Sequence, residues 1–143
     1  VSTRGTFGFH ENGKDRLYYN HYDSYPEGLG EAFINYLKGC ETNWIEPIIS
    51  NPRERDDDFI LDSLFCEYGY IMNKDTNELE VYVGFQKEPP EGRYHDYIPS
   101  DKGYYACGLL TAIHMDTINR YTTKELIDFI EEEERERNGE TNV

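Results

Sequence analysis

The densest group of chemistry-bearing side chains in this sequence is Asn20-His21-Tyr22-Asp23-Ser24-Tyr25. A histidine titrating near neutrality, a carboxylate two residues on and a hydroxyl beside it are the parts of acid–base or nucleophilic chemistry. The group falls between a strand pattern and a helix pattern. At such a junction backbone N–H groups point outward at the positive end of the helix, which suits anionic or carbonyl ligands. If the preceding strands form a hairpin, Ser2, Thr3 and Arg4 return to the same end of the sheet. The candidate ligand-binding residues are therefore Arg4, Asn20, His21, Asp23, Ser24 and Tyr25, and a catalytic version would use Ser2, Arg4, His21 and Asp23. These residue types also have a plain structural use, because Asn, Asp and Ser leave strands and cap helices, and Asp23 or Ser24 stands where a cap before Pro26 belongs. His10, His21, His95 and His114 show no metal-ligand spacing, and the sequence has no glycine-rich phosphate loop, serine elbow or HExxH. The expectation is no metal and no cofactor.

A second kind of chemistry lies in charge. The 143 residues hold 14 Lys and Arg against 29 Asp and Glu, a formal charge of −15. The last 20 residues contribute only −5 of this, so the excess runs through the whole chain. Such a field argues against direct contact with nucleic-acid phosphate or anionic lipid, and it steers cationic partners. It serves as a solvated surface, or as an imitation of nucleic acid that fills a basic groove. The 13 Tyr add rings with polar tips, which anchor interfaces. Asp56, Asp57, Asp58, Tyr94 and Tyr97 are the candidate partner-binding residues.

The elements that must position these groups can be read from pattern. Asn12-Gly13 suits a type I′ turn between strands at 3–11 and 14–22. That turn pairs Phe7 with Tyr18, Gly8 with Leu17, Phe9 with Arg16, Thr6 with Tyr19 and Arg4 with His21. Apolar side chains then leave both faces, so the hairpin is expected to be central in its sheet. A helix is expected over 26–38, with Leu29, Ala32, Phe33, Tyr36 and Leu37 as one apolar stripe, Pro26 in its first turn and Gly39 ending it. Trp44, Ile45, Ile48 and Ile49 form a short helix or plug the core edge, and residues 53–58 are a charged run suited to a solvated loop. A second hairpin is expected over 64–72 and 79–85 around a polar turn at 73–78. Residues 86–103, with Pro89-Pro90, Gly92 and Pro99, read as a long excursion of the kind that often carries function. A strand follows at 107–115. Thr122 and Glu125 make a capping box for a last helix running to about Arg137, with a frayed acidic tail at 138–143. The expected architecture is one α+β domain over 1–137: an antiparallel sheet of about five strands with two main helices packed on it.

The triplet Thr3-Arg4-Gly5, with Asn20-His21, Asp23-Ser24-Tyr25-Pro26 and Gly28-Leu29-Gly30, resembles a group of small uncharacterised proteins of phages and bacterial genomes. Asp62-Ser63-Leu64-Phe65-Cys66-Glu67-Tyr68 and Leu79-Glu80-Val81-Tyr82 extend the resemblance over most of the chain. It implies a phage or mobile-element source and no particular activity. Ser2-Thr3-Arg4 with Asp23 is also similar to the start of N-terminal-nucleophile hydrolases of the bile-salt-hydrolase and penicillin-acylase type. That likeness implies a hydrolase in which the free amine of residue 2 is the base for its own hydroxyl; Val1 precedes it here.

No apolar run approaches the ~18 residues of a membrane span, and no charged-then-apolar leader opens the chain, so no membrane association is expected. Cys40, Cys66 and Cys107, odd in number and scattered, fit neither a disulfide framework nor a zinc knuckle, and point to the cytoplasm, the host's if the protein is phage-borne. The leading expectation is a non-catalytic accessory protein that binds a basic host protein, for instance a nucleic-acid-handling or defence factor. The alternatives are the hydrolase or small-ligand binder at the Arg4/Asn20/His21/Asp23 corner, and an assembly role, with the oligomeric state open.

Overall fold

The computed structural model describes residues 2–40, 44–51, 58–99 and 103–141. Two strands, β1 (Gly5–Glu11) and β2 (Lys14–Asn20), form the hairpin with the register that Asn12-Gly13 dictates, both turn residues having positive φ. The ladder stops at Gly5 and Asn20, one pair short of Arg4 and His21. A wide helical turn over Pro26–Gly30 leads into α1 (Glu31–Leu37), and Gly39, at φ +79°, ends the helix. The short helix α2 (Ile45–Ile49) buries Ile45. A single 3₁₀ turn at Phe59–Leu61 precedes β3 (Tyr68–Asn73), which pairs with β4 (Glu78–Val83). The strand β5 (Gly108–His114) runs into α3 (Met115–Arg120), and α4 (Thr123–Thr141) completes the described chain.

The fold is α+β, a five-stranded sheet in the order β2-β1-β3-β4-β5. Neighbours are antiparallel except β1 and β3, which run parallel from Gly5 beside Tyr68 to His10 beside Asn73. This parallel join was not expected, and it makes only half of the first hairpin central: β1 is interior, whereas β2 is an outer edge. Edge position explains why β2 carries Lys14, Asp15 and Arg16, since charge at a sheet edge discourages pairing with other chains.

Helices cover one face of the sheet. Phe7, Phe9, Tyr18, Tyr70, Met72, Leu79 and Val81 project into a core closed by Leu29, Phe33, Ile34, Leu126, Ile127 and Ile130. The α1 stripe behaves as its spacing demands, with the Phe33 ring 5.8 Å from Phe7 and 5.7 Å from Phe9. On the opposite face Leu17, Ile71 and Tyr82 lie under Ile60, Cys66 and Cys107, with Tyr94 packed against them, so the segment before β3 and the excursion after β4 together cover the sheet. Each of these buried side chains contributes about 1.5–3 kcal/mol of transfer free energy, which is why a chain of low mean hydropathy has two apolar layers.

At the last helix the capping box forms as read: the Glu125 N–H donates to Thr122 Oγ1 and the Glu125 carboxylate accepts from the Thr122 N–H. The helix continues to Thr141, four residues beyond Arg137, where fraying was expected. On its solvent side Arg135 pairs with Glu132, one turn back. No helix among the described residues is long and apolar enough to cross a membrane.

Candidate functional site

The corner at the open end of the first hairpin is built as a joint. Ser24 is fully buried. Its N–H donates to the Thr3 carbonyl at 3.1 Å, its hydroxyl accepts from Asn20 Nδ2 at 2.9 Å, and its carbonyl accepts from the Tyr70 hydroxyl at 2.9 Å. A Cβ on Gly5 would stand 2.6 Å from Ser24 Cβ, so glycine is required for strand and joint to touch. Asp23 has φ +52° and gives its carbonyl to Leu29 N–H, which starts the helical segment through backbone, not through a side-chain cap.

The expected convergence of side chains does not follow from this joint. Arg4 pairs through its backbone with Glu67, and its guanidinium lies 5.1 Å from the centre of the Phe65 ring. His21 is exposed, bonded to the Tyr19 hydroxyl and packed edge-on against Tyr22. Asn20 spends its amide on Tyr22 and Ser24. Tyr25 is exposed, with its phenol raised by the Asp23 carboxylate. Ser2 is half-buried ahead of β1.

Of the candidate partner-binding residues, Asp56 and Asp57 lie outside the described residues. Asp58 and Tyr97 are exposed. Tyr94 turns inward: its hydroxyl donates to Asp15 at 2.6 Å and its ring meets Tyr82 edge-on at 5.3 Å. It belongs to a polar network on the cover side of the sheet that the sequence reading missed. Glu80, 7% exposed, accepts from Arg93 Nε at 3.0 Å, Arg93 Nη2 at 2.8 Å, the Tyr82 hydroxyl at 3.0 Å and Asn73 Nδ2 at 3.2 Å. Arg93 reaches on to Asp15 at 3.2 Å, and Asp15 bonds His10 Nδ1 at 2.7 Å. Burial first, and then the adjacent carboxylates, push the Tyr82 and Tyr94 phenols up, so both stay protonated donors. At the end of the chain of contacts Asp75 caps the first turn, accepting from Asn12 and Gly13 N–H groups, and these bonds hold its carboxyl below the usual range. The available signal was Glu80 itself, a charge at an inward position of an apolar strand, which must find a cation. Every carboxylate oxygen of Glu80 is used, so the cluster clamps the cover to the sheet.

The remaining polar groups with chemical consequence sit on the helical side. Glu27, before α1, and Glu131, on α4, share a hydrogen bond. Partial burial first and then Glu27 raise the Glu131 carboxyl. Asp128 stands one turn before Glu131, and Glu134 one turn after it accepts from the half-buried Tyr68 hydroxyl at 2.7 Å. Burial and then that carboxylate raise the Tyr68 phenol. Lys124 pairs with Asp128 at 3.0 Å, and the Arg135 guanidinium opposes part of the rise at Glu131. Farther round α4 Phe129 is 44% exposed, and Tyr121, between α3 and α4, is 46% exposed, both beside the end of β5. Cys66 and Cys107 are buried, burial pushing the Cys107 thiol up, and Cys40 is exposed. Among the described residues no group of His, Cys, Asp and Glu has the arrangement of a metal site. No family model, no curated protein and no solved structure matches this chain.

Proposed function

We propose that this protein works by binding, presenting the acidic face of α4 and the turn before α1 to a basic protein partner. The observation that carries the reading is the crowding of Glu27 against Glu131, flanked by Asp128 and Glu134, four acids that meet Lys124 and Arg135. Like charges at helical spacing oppose folding, by about 0.2–0.5 kcal/mol per pair. A cationic partner removes that cost on docking, so crowding that burdens the free protein favours the complex. The tyrosine hydroxyl at Glu134 adds a ring at the foot of the same face, and a charge of −15 gives the approach its long reach. The finer form of the proposal, an accessory protein of phage origin acting on a host nucleic-acid-handling or defence factor, rests on the likeness to phage proteins given above.

The test is retention from a bacterial lysate at low salt, elution by a rising salt gradient, and titration of the purified eluted protein against wild type and the Glu27→Gln/Glu131→Gln variant. The expected partner is basic, its affinity falls steeply as ionic strength rises, and the double variant binds it more weakly. An affinity indifferent to salt overturns the proposal, because screening must act on a contact made by exposed charges.

A further inference from the structure

The two outer strands of the sheet are treated differently. β2 is defended by Lys14, Asp15 and Arg16, whereas β5, Gly-Leu-Leu-Thr-Ala-Ile-His, has no Lys, Arg, Asp, Glu or Pro anywhere along it. Uncharged edges are templates for another strand, and soluble proteins ordinarily blunt them. The start of β5 is covered, since Leu109 N–H donates to the Glu91 carbonyl at 2.9 Å. Toward the end of β5, among the described residues, no further strand flanks it. There a groove of about 680 Å³ opens between β5 and α4. Ala112 and Ile113, neighbours that point to opposite faces of the sheet, both line it, so it runs along the outer edge of the strand. Tyr121, Leu126 and Phe129 form its far wall. Glu78 and Glu125 lie in the same wall and rim.

We infer that this edge groove receives an extended segment of the partner, in which apolar residues alternate with Lys or Arg, as an added strand on β5. Main-chain pairing supplies the affinity of such a contact, and alternate side chains supply the selectivity. One row of side chains enters under Phe129 and Leu126, beside Glu125, and the other lies on the Ala112 and Glu78 side of the strand, in the field of the whole chain. A second copy of this chain is a poor occupant, because two molecules of −15 repel along any shared edge. This inference rests on the basic-partner reading above and gives that partner a shape.

The experiment pans a random dodecapeptide library on the wild-type protein, then measures the enriched peptides by calorimetry against Phe129→Glu, Tyr121→Ala and Ala112→Lys, each checked for an unchanged melt. Expected are peptides alternating apolar and basic residues, an affinity lowered about tenfold or more by Phe129→Glu, the loss of a central interface ring, and sensitivity to N-methylation at every second peptide residue only, as strand pairing demands. Failure to enrich any peptide, equal tolerance of N-methylation at both parities, or a dimer through β5 in light scattering overturns it. Salt-sensitive binding that ignores all three substitutions overturns the groove and leaves the basic-partner reading standing. Salt-insensitive binding in the groove overturns the basic occupant and that reading together.

Discussion

At the scale of single residues, Glu131 has the most direct consequence. Its folded carboxyl titrates above its ordinary value, through partial burial and then the Glu27 carboxyl. The fold therefore prefers the protonated acid, and the associated stability is present below about pH 4.5 and lost as pH rises through the raised value. Glu131→Gln is expected to melt higher than wild type at pH 7, by an amount on the order of 0.2–0.5 kcal/mol, with the difference vanishing near pH 4. Thermal melts across that range read it directly. Asp75 has the opposite sign: turn N–H groups lower its carboxyl, so its contribution is present above the ordinary aspartate value and lost as pH falls through the folded one. Ser24 shows why chemistry-bearing types mislead at a joint. The same hydroxyl and carbonyl that suit a ligand are taken by Asn20 and Tyr70, 4 and 46 residues away.

Among the elements, the cover segment 86–99 depends most on one side chain. Removing Arg93 leaves Glu80 charged and buried with only neutral donors, a loss of about 3–5 kcal/mol for a broken buried pair. Arg93→Ala should lower the urea midpoint accordingly and open the cover to limited proteolysis, and Arg93→Ala/Glu80→Gln should recover part of the loss. What was legible here in the sequence followed distance along the chain. The Asn12-Gly13 register, the α1 stripe and the Thr122–Glu125 cap involve residues a few positions apart, where turn geometry and helical spacing leave one solution. The β1–β3 ladder, the Glu80–Arg93 clamp and the inward turn of Tyr94 join residues 13 to 79 positions apart. Nothing local distinguishes Tyr94, which caps a network, from Tyr97 three residues on, which is exposed. The joint at Ser24 was legible as a cluster, but its partners Thr3 and Tyr70, 21 and 46 residues away, were not, for the same reason.

For the whole molecule the governing quantity is the charge of −15. Self-repulsion across a compact body is long-ranged and yields to screening, whose length falls from about 30 Å at 0.01 M salt to about 10 Å at 0.1 M. The melting temperature of the free protein should rise over that interval while affinity for a basic partner falls. Calorimetry on the free protein checks the first half, and a melting temperature that drops with salt would show that its attractive ion pairs outweigh the repulsion.

The parallel join of β1 to β3 has a bearing on birth from the ribosome. Gly5–Glu11 finds β2 as soon as that strand is made, but its other flank has no mate until Tyr68–Asn73 has been translated, some sixty residues later. Through that interval Phe7 and Phe9 belong to a nascent hairpin with one bare side, a state open to capture by chaperones until the third strand closes that flank.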